Sequence, residues 1–251
     1  MSTPETTLSA RRTVGHGFHN LLRLLLFAAL ATLPVSILAS VSARAQDCRS
    51  QPAPGVDWRD CNKSNIVIRG ADLSGANLTG TDLSMTDLRS TTLTGAKLQK
   101  ATLVRSSLAG ADATGSDFSR VEAYRTNFTG IIAPGSSFSS AELQRADFIS
   151  AELTNADFEK AELGRADFEG AVISGAKFAY ANLSRAHFTG TTISAPVDFT
   201  GAFMFLARIE GVDLSSATGL AQPQIDLACG DANTKLPGGL VASQSWPCTF
   251  D

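Results

Sequence analysis

Histidine is almost missing: there are three in 251 residues, and His16 and His19 fall within the first 45, leaving His187 alone in the rest of the chain. One imidazole cannot supply a histidine-based triad with a credible partner, nor a two-histidine metal site. The glycines are not followed by Lys-Ser/Thr where a phosphate-binding loop requires it, and the calcium-binding nonapeptide of other β-solenoids is missing. Cysteine is limited to Cys48, Cys61, Cys229 and Cys248, and Lys plus Arg (21) fall short of Asp plus Glu (24). These shortages leave no catalytic residue, no metal ligand set and no cofactor to name.

The first 45 residues read as export machinery. Arg11, Arg12 and Arg23 precede an apolar run from Leu24 to Ala39, and Ala43-Arg44-Ala45 has the A-x-A form of a signal-peptidase site. The expectation is cleavage after Ala45 and a mature chain beginning at Gln46. An uncleaved anchor is the competing reading, but the run is short for a membrane span. The residues before Cys48 do not fit a lipid-modified cysteine. Removing four basic residues (Arg11, Arg12, Arg23, Arg44) and one acidic residue (Glu5) leaves 17 basic against 23 acidic. That balance gives no attraction toward nucleic acid or an anionic membrane.

What is abundant is a period of five. From Ile66 to Ser216 the chain repeats a small residue, a polar residue, Leu or Phe, and two small or polar residues, as in Ala71-Asp72-Leu73-Ser74-Gly75 and Ala156-Asp157-Phe158-Glu159-Lys160. Such a short unit can bury its apolar residue only by stacking on copies of itself, which makes a solenoid. Period five also rules out ordinary alternating strands. The Leu/Phe centres run from Ile68 to Ile193, shift by one residue around Pro196, and resume at Phe199, Met204, Ile209 and Leu214.

The A-(D/N)-(L/F)-x-x array closely resembles the pentapeptide-repeat family, over residues 66–216. The tail, with Ala217-Thr218-Gly219-Leu220 and Ala228-Cys229-Gly230-Asp231, is similar to the ending of exported proteobacterial members. The resemblance implies an all-β, right-handed quadrilateral β-helix with one pentapeptide per side and about twenty residues per coil. At about 4.8 Å per coil, some seven and a half coils make a rod about 36 Å long. The domain reading is 1–45 signal peptide, 46–65 N-terminal cap, 66–216 β-helix and 217–251 C-terminal cap.

Four-sided folding sorts the residues into columns. Leu78, Leu98, Phe118, Phe138, Phe158 and Phe178 form one, and Leu88, Leu108, Phe128, Phe148, Phe168 and Phe188 form the one opposite. Where the phenylalanines begin, the other two sides shrink to Ala113, Ala123 and Ala133, while the second inward residue grows to Val121 and Ile131. Constant core volume demands that trade. On the outside, Arg105, Arg125, Arg145, Arg165 and Arg185 fall twenty apart, with Glu122, Glu142 and Glu162 three residues before the middle three. Two readings follow: compensating surface ion pairs of little worth each, or a groove for a carboxylate- or phosphate-bearing ligand centred on Arg145 and Arg165. Carboxylates such as Asp147 and Asp167 recur because the repeat recurs, so they do not read as an acid/base pair.

An open solenoid end exposes hydrogen-bonding edges and needs a cap. The segment from Cys48 to Asn65, tied by Cys48–Cys61, is read as an N-terminal plug. Gln222–Ala228 is read as a short helix, with the tail fastened by Cys229–Cys248 and Trp246 over the last coil. Four cysteines allow three pairings, but a rod keeps the two pairs too far apart for any but the local one. Phe203, Phe205 and Leu206 point outward if Met204 is a centre; they either lie under the tail or form a partner site. The functional expectation is a non-catalytic periplasmic or secreted protein presenting a rigid charged surface to a protein partner. The alternatives are a purely structural envelope protein and, last, an enzyme.

Overall fold

The computed structural model describes residues 47–249; the expected signal peptide lies outside the described residues. Isolated parallel β-bridges join residues twenty apart in unbroken series, such as Asp57↔Asn77, Asn77↔Lys97 and Lys97↔Asp117. Intermediate series start at Asn62, Val67 and Asp72. Four pentads therefore close one coil, and each side of the coil contributes a single bridge.

One hydrogen-bond pattern explains this economy. The centre N–H donates up the column, as Leu73 to the Thr92 carbonyl at 2.7 Å, and Thr92 N–H returns to the Ala71 carbonyl at 3.0 Å. Three residues after each centre the chain folds back, with Ala76 N–H on the Leu73 carbonyl at 2.9 Å. A turn so soon after every bridge leaves no room for a pleated strand. The fifth residue of each unit takes a left-handed φ to make the corner, whether glycine (Gly75, 62°; Gly95, 64°) or not (Met85, 54°; Lys100, 60°).

The core matches the predicted columns. Phe138 and Phe158 are fully buried, with ring centroids 4.9 Å apart and planes within 6°. Between the two ladders the rings meet edge to face, as Phe148 and Phe158 do at 5.7 Å and 87°. Both geometries are favourable for aromatic quadrupoles. Ala113, Ala123, Ala133, Val121 and Ile131 are fully buried beside them. At several places where the second inward residue is Ser or Thr, its hydroxyl donates to a centre carbonyl one coil back, as Ser136 to Ala113 and Thr126 to Leu103, both at 2.6 Å. That bond satisfies a polar group that burial would otherwise penalise.

The ladder is already running at Asp57, inside the segment expected to be a separate plug. Trp58 occupies the centre beneath Leu78; it is fully buried, its backbone N–H reaches the Asn77 carbonyl at 2.9 Å, and its indole N–H donates to Ser50 Oγ at 2.8 Å. Lys63 stands at the next centre position with its ammonium 3.8 Å from the Trp58 ring centroid. Burial there pushes the Lys63 pKa down. The Cys48–Cys61 disulfide, with Cα atoms 5.4 Å apart, holds the strand end over this tryptophan.

At the frame shift the bridge interval becomes twenty-one, Lys177↔Asp198. The extra residue is absorbed near Pro196: Ile193 is only half-buried, and Val197 takes the inward place. After Thr218, which still bridges Asp198, a six-residue helix α1 (Gln222–Leu227) crosses the open end and buries Ile225. The chain then rejoins the ladder at Cys229, bridged to Arg208, and at Lys235, bridged to Asp213. The cap thus completes the last coil rather than sitting on it. The Cys229–Cys248 disulfide (Cα–Cα 5.4 Å) returns the tail, and the Trp246 indole N–H donates to the Ala228 carbonyl at 2.7 Å. The Trp246 ring lies on Gly230, where a Cβ would come within 2.5 Å of it, so this glycine serves the packing of the ring.

Candidate binding face

The side of the coil that carries Leu103, Leu143, Leu163, Leu183 and Met204 as centres bears the predicted charged columns. Its entering edge holds Glu122, Glu142 and Glu162, bridged in series and followed by Asn182 and Phe203. Its exit corner holds Arg105, Arg125, Arg145, Arg165 and Arg185, all exposed, with φ between 55° and 60°. A left-handed conformation costs an L-residue roughly 1–2 kcal/mol that glycine avoids. Other corners use glycine freely (Gly75, Gly95, Gly115 and Gly135 lie on one), yet this corner has none from Met85 to Leu206.

The expected lattice of ion pairs is not formed. Among the described residues, none of the five arginines has a carboxylate oxygen within 4 Å; the ion pairs present are elsewhere, such as Arg89–Asp87 and Arg59–Asp57. The reason is local. Asp147 Oδ1 accepts from Ile149 N–H at 3.1 Å and Asp167 Oδ1 from Glu169 N–H at 2.9 Å, so both carboxylates are turned into their own pentad. Glu162 accepts from the Asn182 amide at 2.9 Å, along its own column. Arg125 packs on Tyr124 instead, 5.2 Å from the ring centroid.

The apolar trio ends this face. Phe203 is 51% and Phe205 42% exposed, with ring centroids 6.3 Å apart, so the C-terminal tail does not cover them as expected. Leu206 is half-buried, and its N–H reaches the Leu227 carbonyl at 2.7 Å. Two clefts adjoin the trio. One, of about 460 Å³, is lined by Arg145, Glu162, Gly164, Arg165, Ser184, Arg185 and Phe205. The other, of about 530 Å³, lies between Arg165, Arg185, Leu206, Arg208, Glu210 and the Cys229–Cys248 disulfide. Gly164, Ser184 and Glu210 were not singled out in the sequence, although glycine at the fourth rather than the fifth place of a unit is a visible departure.

His187 is half-buried and doubly engaged. Its Nδ1 lies 3.3 Å from Asp167 Oδ1 and its Nε2 2.8 Å from the Thr189 hydroxyl. With Glu169 it forms, among the described residues, a three-member group whose ligand atoms all lie within 4.8 Å, a spacing compatible with a metal ion. Arg208 occupies the next rung of that column.

A four-sided solenoid with a rigid charged face and a capped end is a repeat protein of the β-helix class. Matches to the family model described as pentapeptide repeats cover residues 59–95, 86–122, 124–159 and 151–190. The chain belongs to the pentapeptide repeat family, whose fold is the right-handed quadrilateral β-helix. Similar solved structures include HetL, a pentapeptide repeat protein involved in heterocyst differentiation regulation in the cyanobacterium Nostoc sp. strain PCC 7120. It is 25% identical over 75% of this chain and 92% of its own, with a TM-score of 0.39. A trypsin-treated form of QnrB1, a plasmid-mediated fluoroquinolone resistance protein, is 22% identical over 74% and 84%, with a TM-score of 0.45. A pentapeptide repeat protein from the thylakoid lumen of Arabidopsis thaliana is 29% identical over 47% and 68%, with a TM-score of 0.18. No curated protein matches the chain.

Proposed function

We propose that this is an exported, non-catalytic scaffold whose arginine-lined face binds a protein partner in the periplasm or outside the cell. The observation that carries this reading is the arginine column itself: five successive cations that, among the described residues, have no carboxylate oxygen within 4 Å, at corners where glycine would suit the backbone better. A column serving only stability would be expected to meet its neighbouring carboxylates. A stiff surface loses little conformational entropy on association, which suits a binding role. The leader features of residues 1–45 and the two disulfides support export into an oxidising compartment.

The test replaces Arg125, Arg145 and Arg165 together by glycine and compares crosslinked partners from the periplasm with those of the parent protein. Loss of a crosslinked partner without loss of melting temperature supports binding. Unchanged capture, or a loss of stability alone, overturns it in favour of a purely structural envelope protein.

A further inference from the structure

The geometry points to an occupant for this face: an α-helix of a partner protein, lying along the rod, with a stripe of acidic residues that ends in an apolar one. The inference rests on the protein-binding reading above and specifies the chemistry of the partner.

Three features of the cleft around Gly164 argue for it. First, Arg145, Arg165 and Arg185 stand on consecutive rungs and, among the described residues, none has a carboxylate oxygen within 4 Å, so this series of exposed like charges favours an external anion. Second, the fold does not require glycine at 164. Its φ is not left-handed, and a Cβ there would lie 3.5 Å from Ser184 Oγ, an ordinary contact. The missing side chain leaves a dent between the arginines and Glu162, bordered by the small Ser184. A helix backbone can approach closely there. Third, the ladder stops at Phe205 and Leu206, an apolar ledge in place of a sixth arginine.

Spacing selects a helix over an extended chain. Successive coils at this level are separated by 5.1 Å (Phe148 to Phe168) and 5.0 Å (Phe168 to Phe188). A helix rising about 1.5 Å per residue places i, i+3 or i+4, and i+7 at about 0, 5 and 10.5 Å, in step with three rungs; i+10 or i+11 then reaches the apolar ledge. A strand presents same-face residues about 6.6 Å apart and is out of register by the third rung. The glutamate column discriminates further. Glu142 and Glu162 border the same side, so a uniformly charged polyanion is repelled at that edge, whereas the flank of a helix can be neutral or basic.

The experiment uses the purified protein and a fluorescently labelled, helix-stapled peptide with Glu at i, i+3 and i+7 and Leu at i+10. A control peptide of the same composition has its acids at i, i+2 and i+4. Fluorescence anisotropy should show the first peptide binding at least about tenfold more tightly than the control. Arg165→Gly and Gly164→Leu should each weaken it about tenfold, with no loss of melting temperature. Should Gly164→Leu misfold, Gly164→Gln fills the same dent with the residue found at position 144. Equal binding of both peptides, undiminished binding to the folded Gly164 variant, or equally effective competition by polyphosphate or phosphatidylglycerol vesicles overturns the inference. If the peptide fails while the arginine triple variant still loses its crosslinked partner, the helix reading falls and the protein-binding reading stands; if both fail, both fall.

Discussion

The side-chain amide of Gln224, in α1, donates to the carbonyl oxygen of Phe199 at 2.9 Å. A second bond goes to Ala202 at 3.0 Å, while Gln224 Oε1 accepts from Ala221 N–H at 2.8 Å. One residue therefore closes the exposed edge of the last complete coil and the start of the helix that covers it.

Gln224→Ala leaves the Ala202 carbonyl without its donor and the Phe199 carbonyl with the Ala202 N–H alone, and should cost about 2 kcal/mol, at roughly 1 kcal/mol per lost bond. Gln224→Glu should be worse at neutral pH, because a carboxylate faces the same two carbonyls and cannot donate. Thermal melting ranks the three proteins. Light scattering at rising concentration should show end-to-end association in both variants, since an uncovered ladder is a template for pairing. Equal melting of the Glu and Ala variants would rule out the donor role.

Phe158 lies between Phe138 and Phe178 in its column, 4.9 and 5.0 Å away, and meets Phe148 and Phe168 edge-on at 5.7 Å. Phe158→Ala should cost about 3–5 kcal/mol, and Phe158→Leu less than half of that, because leucine already fills the same column at Leu98. Urea midpoints measure both. An alanine variant within about 1 kcal/mol of the parent would mean that the ladder is loosely packed.

Most of this architecture was legible because burial and sequence share one period: twenty residues per coil places Phe138 under Phe158 without further information. The exchange of large centres for Ala113, Ala123 and Ala133 was legible for the same reason. The N-terminal start was not, because Trp58 and Lys63 fill centre positions with residues outside the Leu/Phe pattern. The ion-pair lattice failed for a different reason. Spacing tells which residues are neighbours but not which way Asp147 turns, and its own backbone at Ile149 outcompetes Arg145. Gly164 stands out in the sequence by its place in the unit, but that its φ does not demand glycine is a property no sequence displays.

Acid should loosen the C-terminal coil while the core stays intact. The Lys235 ammonium, 2.8 Å from Asp213, and then the Ser215 hydroxyl hold the Asp213 carboxyl down to about 2 from an ordinary 3.8. The folded state therefore binds fewer protons than the unfolded one between those values. This contribution is intact above about pH 4 and is lost as the pH falls toward 2. Both groups are exposed, so the effect is local. Hydrogen exchange of Leu214 N–H, which donates to the Lys235 carbonyl at 2.8 Å, should accelerate over that window while the core at Phe158 stays protected. Asp213→Asn should remove the pH dependence, and its persistence in that variant would place its source elsewhere.

Replacing Arg145, Arg165 and Arg185 by glycine separates stability from binding. Each substitution relieves a left-handed φ of 57–60°, worth roughly 1–2 kcal/mol, against a glycine entropy cost of roughly 0.5–1 kcal/mol. It also removes one of three like charges in series that, among the described residues, form no ion pair. The triple variant should melt at or above the parent temperature, and its advantage should shrink as salt screens the repulsion in the parent. A decrease equivalent to more than about 1 kcal/mol would mean that the arginines hold the coil together through their stems, as buried methylenes on long cationic side chains can. The case for an external partner would then lose its main support, since a corner retained for stability needs no ligand to account for it.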